Sequence, residues 1–515
     1  MSDVPNGLRP CAVWVRVALD VPLPGPFDYC AQVALPVGTR VIVPFGRRKL
    51  VGVVVDNPAE PAIDPAQVRE IEQVLEDLPP LPEDWLRLAR FAADYYQRPL
   101  GEVMLPAMPP PLRKPSAYQG KRSGQGPVAR LDARKAKPAA APTTPDKAPT
   151  LNADQQIAVD TVTALAGFKP VLLHGVTGSG KTEVYLHIAQ RVLAAGRQVL
   201  LLVPEINLTP QLESAVRARL ESVLGADGLA VMHSGLSDGE RVQAWARAQR
   251  GQARMLLGTR MAIFAPLSDL GLIVVDEEHD ASYKQQDGLR YSARDLAVWR
   301  ARDQNVPVLL GSATPSLESW YHAGRGHYLR LTLTGRARVS SLPKIRLIDT
   351  RRLPMREGIS PQLSDAIAQR LEHGEQSLVF LNRRGYAPVL HCASCAWVSH
   401  CPRCSAFTVL HRAAGRGNRL HCHHCDTRRL CHGLVQSAVT RTWSPWAGER
   451  SVSKSIWPNY FLKRVFLVLM PTARVAKAVR KPCLRPSTRV RSIFWWGLKW
   501  WPRGMILPGW VSLAY

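Results

Sequence analysis

Residues 171–182 read VLLHGVTGSGKT, and this stretch decides the fold. Val171, Leu172 and Leu173 form a short apolar run that predicts a buried strand, and Thr182 to Leu193 carries a helical pattern. Between them, Gly175, four residues, Gly180, Lys181 and Thr182 give the spacing G-x-x-x-x-G-K-[ST] of a phosphate-binding loop. The chemistry needs these residue types. Gly175, Gly178 and Gly180 let the backbone turn left-handed and approach a polyphosphate closely, with Thr177 and Ser179 completing the loop. The freed N–H groups and the following helix N-terminus face the anion. Lys181 supplies a point charge for the β- and γ-phosphates, and the Thr182 hydroxyl is suited to ligate Mg2+. ATP and Mg2+ are the cofactors this pattern predicts.

Around the loop, residues 151–330 alternate strand and helix patterns. VLLLVPE (199–205), LAVMHS (229–234), RMLLGT (254–259), LIVVDEEH (272–279) and VPVLLGSAT (306–314) read as buried strands, mostly separated by helical segments. This predicts an α/β fold, a parallel sheet with helices on both faces and ligands at the carboxyl ends of its strands. Asp276 ends one such strand and is expected to hold the Mg2+ shell, with Glu277 polarising the attacking water. Carboxylates buried after an apolar strand are costly unless they meet a cation. Ser312, Ala313 and Thr314 end another strand.

Residues 11–56 are rich in short Val/Ile runs and read as a small β-rich domain (1–105), with an amphipathic helix over 83–97 that places Trp85, Leu88, Phe91, Ala92 and Tyr95 near one face. Tyr95 and Tyr96 read there as core and boundary residues rather than a base-stacking platform. Residues 106–150, rich in Pro, Ala, Lys and Arg, read as a flexible basic linker, either simply solvated or touching phosphates. The chain of 515 residues has a net charge of +26, which points to a polyanionic partner. Residues 426–515 carry 16 Lys and Arg against Asp426 and Glu449, so the remainder holds 51 basic and 39 acidic residues and is still basic. The first residues lack the pattern of a secretory signal, and no run of 18 apolar residues occurs, so a cytoplasmic protein without a membrane span is expected.

The set GVTGSGKT, VPE, HSG, GTR, DEEH and GSATP, in this order, resembles superfamily 2 helicases. GVTGSGKTEVYL, PEINLTPQ, GTRMAIFAPL, DEEHDASYKQQDGLRYSARDLAVWRA and LNRRGYAP narrow the resemblance to the PriA family of replication restart helicases, over about residues 12–430. The resemblance implies a RecA-like first helicase lobe (151–330), the start of a second (331–390) and an N-terminal domain that binds DNA 3′ ends. It implies ATP-dependent 3′–5′ unwinding of DNA at stalled forks. Its partners would be forked and single-stranded DNA, primosome proteins, single-stranded-DNA-binding protein and a replicative helicase loader. By matching position, Gln155 would read adenine, and Pro204, Glu205, Thr259 and Arg260 would contact DNA. Tyr283, Lys284, Tyr291 and Arg294 lie in the family's aromatic-rich loop, which has rings to stack and cations for phosphates. Phe27, Asp28, Tyr29 and Gly38 match the 3′-end pocket, and Arg69 stands where the family has Lys. The 106–150 segment lies where many relatives carry a winged-helix domain and is too poor in apolar residues to form one.

Seven of the ten Cys fall between 392 and 431, in C-x-x-C pairs that point to metal rather than disulfides. Cys401, Cys404, Cys422 and Cys425 supply a four-thiolate Zn2+ site within a 391–431 module. The resemblance pairs Cys392 and Cys395 with a further knuckle that does not appear; Cys431 offers a third ligand, so this outer site is expected to be incomplete. Residues 432–515 hold 8 of the 14 Trp, lack periodicity and read as translation of a shifted frame, the alternative being a native basic, aromatic extension that binds nucleic acid. SLVFLNRRGYAP (377–388) opens the second lobe, and no G-R-x-G-R-like stretch follows to supply an arginine finger. The expectation is a helicase that binds ATP and forked DNA but turns over poorly. The alternative is an ATP- and fork-DNA-binding zinc protein without motor activity.

Overall fold

The computed structural model describes residues 13–119, 126–132, 149–204, 210–225, 227–335, 344–349, 353 and 359–381. Beyond these it describes the short stretches 390–392, 398–404, 406–411, 419–422, 425–430, 443–445, 465–469, 493–498 and 510–514. Two units emerge, Met1–Ser340 and Ser341–Tyr515.

The first unit opens with β1 (Val13–Leu19), β2 (Phe27–Ala31), β3 (Arg40–Phe45), β4 (Arg48–Asp56), β5 (Arg69–Glu70) and β6 (Gln73–Leu75), in the sheet order β5-β2-β1-β4-β3-β6. Val-rich runs suit a sheet covered on both faces. Val15, Val17, Val41, Val43 and Val54 pack on one side, while Ile42, Val51, Val53 and Val55 pack on the other beneath helices. Helix α1 (Glu83–Tyr95) places Glu83 and Asp84 in its first turn, where the helix dipole favours them. It buries Trp85, Leu88, Ala89 and Ala92. The Trp85 indole donates to the Phe264 carbonyl, tying α1 to the second sheet. Tyr95 departs from the expected apolar face: α1 ends there, and the ring is 67% exposed, stacked on Phe91.

Helices α2 (Leu100–Ala107) and α3 (Pro127–Asp132) follow. The described part of the expected linker is packed rather than free. Met108, Leu112, Tyr118 and Val128 are buried, and Arg40 donates to the Tyr118 hydroxyl at 2.7 Å while pairing with Asp77. Isolated apolar anchors within a polar, Pro-rich stretch leave no period to read.

The second sheet is built by α4 (Ala153–Thr163), β7 (Pro170–Gly175), α5 (Lys181–Ala194), β8 (Gln198–Leu202), α6 (Pro210–Leu224), β9 (Leu229–Met232), α7 (Asp238–Gln249), β10 (Met255–Gly258), β11 (Leu270–Val275), α8 (Ala293–Asp303), β12 (Val308–Ser312), α9 (Leu317–Gly324) and β13 (Leu329–Leu333). Its order is β13-β7-β12-β11-β8-β10-β9, and all its neighbouring strands run parallel. β7, β8 and β11 are apolar apart from His174 and Gln198 because helices cover both faces. The sheet thus forms the doubly covered layer the sequence predicts. β13 was not among the expected strands: LRLTL alternates part-buried and exposed residues at the sheet edge, with only Leu333 fully buried, and carries no buried-strand signal.

In the second unit, α10 (Pro361–Glu372) is capped by Ser360 and leads to β14 (Gln376–Leu381). Next come β15 (Leu390–Cys392), β16 (Val409–His411), β17 (Arg419–His421), β18 (Arg428–Leu430) and β19 (Trp443–Pro445), then β20 (Val465–Leu469), β21 (Ile493–Leu498) and β22 (Trp510–Ala514). β16, β17 and β18 form an antiparallel sheet around the cysteine pairs. β14 lies between β21 and β22 in a parallel sheet, so stretches of the tail carry strands where none was expected. VFLVL and IFWWGL are β-branched or aromatic throughout most of their length, which suits strands. Among the described residues no helix is long and apolar enough to cross a membrane.

Candidate functional site

The loop after β7 has the geometry its sequence calls for, with one refinement. Gly178 and Gly180 both take φ of 82°, the left-handed region. Gly175 is needed for closeness instead: a Cβ there would lie 2.5 Å from the Ser179 Oγ and 3.0 Å from Leu333. Lys181 begins α5, is buried, and donates from Nζ to the Gly175 carbonyl at 2.9 Å. Thr182 is exposed at the same helix start. Space is open beyond Gly178, Thr177 is exposed, and the buried Ser179 Oγ has no partner among the described residues. Such a loop fits a polyphosphate, which would take up the free donors at this helix start.

Gln155 is buried beside the phosphate loop. Its amide closes a capping box with Asn152, and its Nε2 donates to the Ser179 carbonyl at 2.8 Å. The buried side chain thus ties the start of α4 to the phosphate loop.

The four residues after β11 each have a separate task. Asp276 is part-buried and accepts from the Tyr185 hydroxyl at 3.0 Å. Burial, reinforced by the neighbouring Glu277 charge, pushes its carboxyl up to about 6, against the Tyr185 hydrogen bond and the Lys181 charge. Glu277 sits at φ 47°, a left-handed conformation rare for a non-glycine residue, and its carboxylate lies 3.9 Å from Lys181 Nζ. The buried Glu278 accepts from the Ser316 N–H (2.7 Å), Ser316 Oγ (3.0 Å), Ser319 Oγ (2.9 Å) and Arg294 Nη1 (3.3 Å). The His279 Nδ1 lies 2.7 Å from the Ser312 Oγ, joining the acidic turn to the end of β12. Sequence reasoning gave Glu278 no role, because three adjacent acids look alike until tertiary structure separates them.

The loop after this turn is less open than its sequence suggests. Tyr283 and Tyr291 were expected to stack on bases, yet both are buried. Tyr283 donates to the Asp276 carbonyl at 2.7 Å, and Tyr291 packs edge-on against Phe264 at 5.1 Å. Arg294 is engaged by Glu278, Asp295 and Ser316 rather than left free for phosphates. Arg260 donates to the Ser282 and Lys284 carbonyls (2.8 and 3.3 Å). Thr259 and Pro204 are buried, and Glu205 lies outside the described residues. Lys284 stays exposed, with Nζ over the Tyr96 ring.

In the N-terminal sheet Phe27, Asp28, Tyr29 and Arg69 come together on adjacent strands, with Tyr29 and Arg69 in register. Phe27 packs edge-on against Phe45. Asp28 is held by Arg16 at 3.1 Å and accepts from the Ala62 N–H. Tyr29 donates to the Pro44 carbonyl, and burial pushes its phenol up to about 12. Arg69 is exposed and donates to the Gly46 carbonyl at 3.0 Å. Gly38 serves the backbone: at φ 94° it pairs with Val54 and Leu81, and a Cβ would meet the Leu81 oxygen at 2.3 Å.

In the second unit the Sγ atoms of Cys401, Cys404, Cys422 and Cys425 all lie within 4.8 Å of one another. Three sulfur pairs stand 3.5, 3.5 and 3.7 Å apart. A tetrahedral zinc with Zn–S of about 2.3 Å spaces its sulfurs about 3.8 Å apart, so the donor set fits a thiolate metal site. Of the outer pair, only the Cys392 backbone is described, in β15; Cys395 and Cys431 lie outside the described residues.

Fold and site define an ATP-dependent DNA helicase with an N-terminal DNA-binding domain. Residues 152–321 match the DEAD/DEAH box helicase family, and residues 16–109 match the 3′ DNA-binding domain of PriA. The replication restart protein PriA of Haemophilus influenzae is 36% identical, over 88% of this chain and 70% of its own length. That of Treponema pallidum is 37% identical over 80% of this chain and 60% of its own. That of Bacillus subtilis is 44% identical over 50% of this chain and 31% of its own. This chain belongs to the PriA family of replication restart proteins. Among solved structures, RecG bound to a three-way DNA junction aligns over 45% of this chain and 30% of its own, at 20% identity and a TM-score of 0.30, too low to bear on function.

Proposed function

We propose that the chain acts in replication restart as a 3′–5′ DNA helicase driven by ATP hydrolysis. In this reading it engages a 3′ end at a stalled fork through the Phe27–Tyr29 and Arg69 surface and moves along single-stranded DNA. The observation that carries this is the hydrogen-bonded path from Arg260 through the Ser282 and Lys284 carbonyls, and from Tyr283 to Asp276. It joins the loop beside the DNA-contact motif to the main chain at Asp276, the residue that ends β11 at the nucleotide site, the coupling a motor requires.

Lys181 binds the β- and γ-phosphates, and Asp276 with Thr182 would hold Mg2+. That ion, when bound, neutralises charge developing on the phosphates. Glu277 orients the attacking water and accepts its proton, held near Lys181 by the turn at φ 47°. Glu278 fixes Arg294 and the start of α9, so movement of the loop reaches both ends of the acidic turn. Cys401, Cys404, Cys422 and Cys425 hold structural zinc. Primosome proteins, single-stranded-DNA-binding protein and a helicase loader are the protein partners, and the cytoplasm is the compartment.

The test is phosphate release and strand separation on a fork with a nascent 3′ end at its branch. Wild-type protein is expected to show DNA-stimulated release, and Lys181→Ala to lose it while retaining DNA binding. Release that DNA does not stimulate would overturn the motor. A second reading is an ATP- and fork-binding zinc protein without motor activity. It predicts fork and nucleotide binding without stimulated release.

A further inference from the structure

The end of α1 carries a column of rings with no counterpart elsewhere among the described aromatic contacts. Phe91 stacks on Trp299 at 4.3 Å and 10°, and Tyr95 stacks on Phe91 at 5.5 Å and 26°. Tyr96 meets Tyr95 edge-on at 5.0 Å, accepts from the Ser292 N–H at 3.0 Å, and lies under the Lys284 ammonium at 5.3 Å. The column is rooted in the core through Trp299 and ends in solvent at Tyr95, which is 67% exposed. Gln97 follows at φ 54°, a strained turn that bends the chain back and sends Arg98 toward the Gly288 carbonyl at 3.4 Å. Lys284 meets the column from the opposite loop, which also carries the exposed Arg290, and Arg98 is matched by Glu102. The ring also lies within the stretch that matches the DNA-binding domain, residues 16–109.

We infer that Tyr95 is a stacking platform for a base of single-stranded DNA, with Lys284 and Arg290 holding the adjacent phosphates. The inference rests on the DNA-binding reading above and adds to it a contact the motifs do not assign. A rigid, exposed ring backed by a second ring loses little entropy when a base stacks on it, and every base has a face to offer. The two loop cations supply the backbone attraction that stacking alone lacks. Tyr283 and Tyr291, buried beneath the same loop, leave Tyr95 and Lys284 as its outward pair.

The experiment titrates a single-stranded oligonucleotide containing 2-aminopurine, its 3′ end blocked with a bulky group so that the N-terminal pocket does not contribute. Wild-type protein should quench the probe on binding. Tyr95→Ala should weaken binding about 5- to 150-fold, the range for removing a stacked aromatic, and Tyr95→Phe should restore it. The slope of log K against log salt should be unchanged in Tyr95→Ala, because no charge is lost, while Lys284→Ala should lower it by about one phosphate contact. Wild-type affinity in Tyr95→Ala, or a loss accompanied by a reduced salt slope, overturns the platform. Wild-type protein that binds no blocked single strand overturns the DNA-binding reading itself, and the platform with it.

Discussion

Asp276 is held by a neighbour that the motif does not include. Tyr185 lies one helical turn beyond Lys181 on α5, wholly buried, with its hydroxyl on the carboxylate. Space for it exists only because position 311 is glycine: a Cβ there would lie 1.5 Å from the Tyr185 oxygen. Groups that orient a metal-holding carboxylate typically matter 10–100-fold. Tyr185→Phe is therefore expected to raise the Mg2+ concentration needed for nucleotide binding and phosphate release by roughly that factor while leaving melting behaviour near wild type. Gly311→Ala should be worse in both, since the ring must move. Glu277 offers a second residue-scale test. Its φ of 47° reverses the usual order of alanine and glycine. Glu277→Gly should be more stable than Glu277→Ala by about 1 kcal/mol in denaturant unfolding, and neither should hydrolyse ATP. If alanine proves the more stable, the turn is not strained.

At the scale of elements, the N-terminal sheet and the segment that wraps it each carry a buried phenol, Tyr29 and Tyr118. Burial pushes both Tyr29 and Tyr118 up from 10.0 to about 12. A tyrosine whose folded value lies above its unfolded value keeps its proton longer in the folded state. Its contribution is complete below about pH 10 and is lost as pH rises toward 12. Unfolding free energy followed by denaturant between these limits should fall steeply, and Tyr29→Phe with Tyr118→Phe should flatten the fall. An unchanged slope in the double variant would place the alkaline sensitivity elsewhere. Elements also mark where sequence is legible. The strand, loop and helix around Lys181 could be read because the spacing carries its own mechanism. The strands β8 and β11 could be read because both faces are buried, so the run is apolar throughout. Tyr283, Tyr291 and Arg294 could not be placed: an aromatic or cationic residue in a polar loop reads as a DNA contact until its packing is known. Tyr95 erred in the other direction, since helical period puts it near the buried stripe although α1 ends before the core does. The packed run through Leu112 and Tyr118 was hidden by composition, because two anchors suffice to pin a polar chain.

At the scale of the whole molecule, the cysteines set a count. Four sulfurs 3.5 to 3.7 Å apart in three pairs are close to the spacing a single tetrahedral ion needs. The surroundings of Cys401 and Cys425 favour thiolate, with the Arg403 N–H 3.4 Å from the Cys401 Sγ and the Thr427 hydroxyl 3.1 Å from that of Cys425, whereas burial and the neighbouring thiols push Cys404 up to about 12. The four cysteines are drawn from two pairs, 401/404 and 422/425, whose nearest members are 18 residues apart in sequence and which meet around the β16–β17–β18 sheet, so metal binding and folding of this module are linked. Purified protein should therefore carry one zinc per chain by elemental analysis. Cys401→Ser and Cys422→Ser should each release it and make the module sensitive to proteolysis, whereas Cys392→Ser should retain it. Two zinc ions per chain, or loss of the ion in Cys392→Ser, would mean that the outer pair finds its remaining ligands and that the two sites fold as one. One zinc, lost with either inner cysteine, would mean that the inner pairs form a self-sufficient module, folding whether or not the outer pair is ever completed.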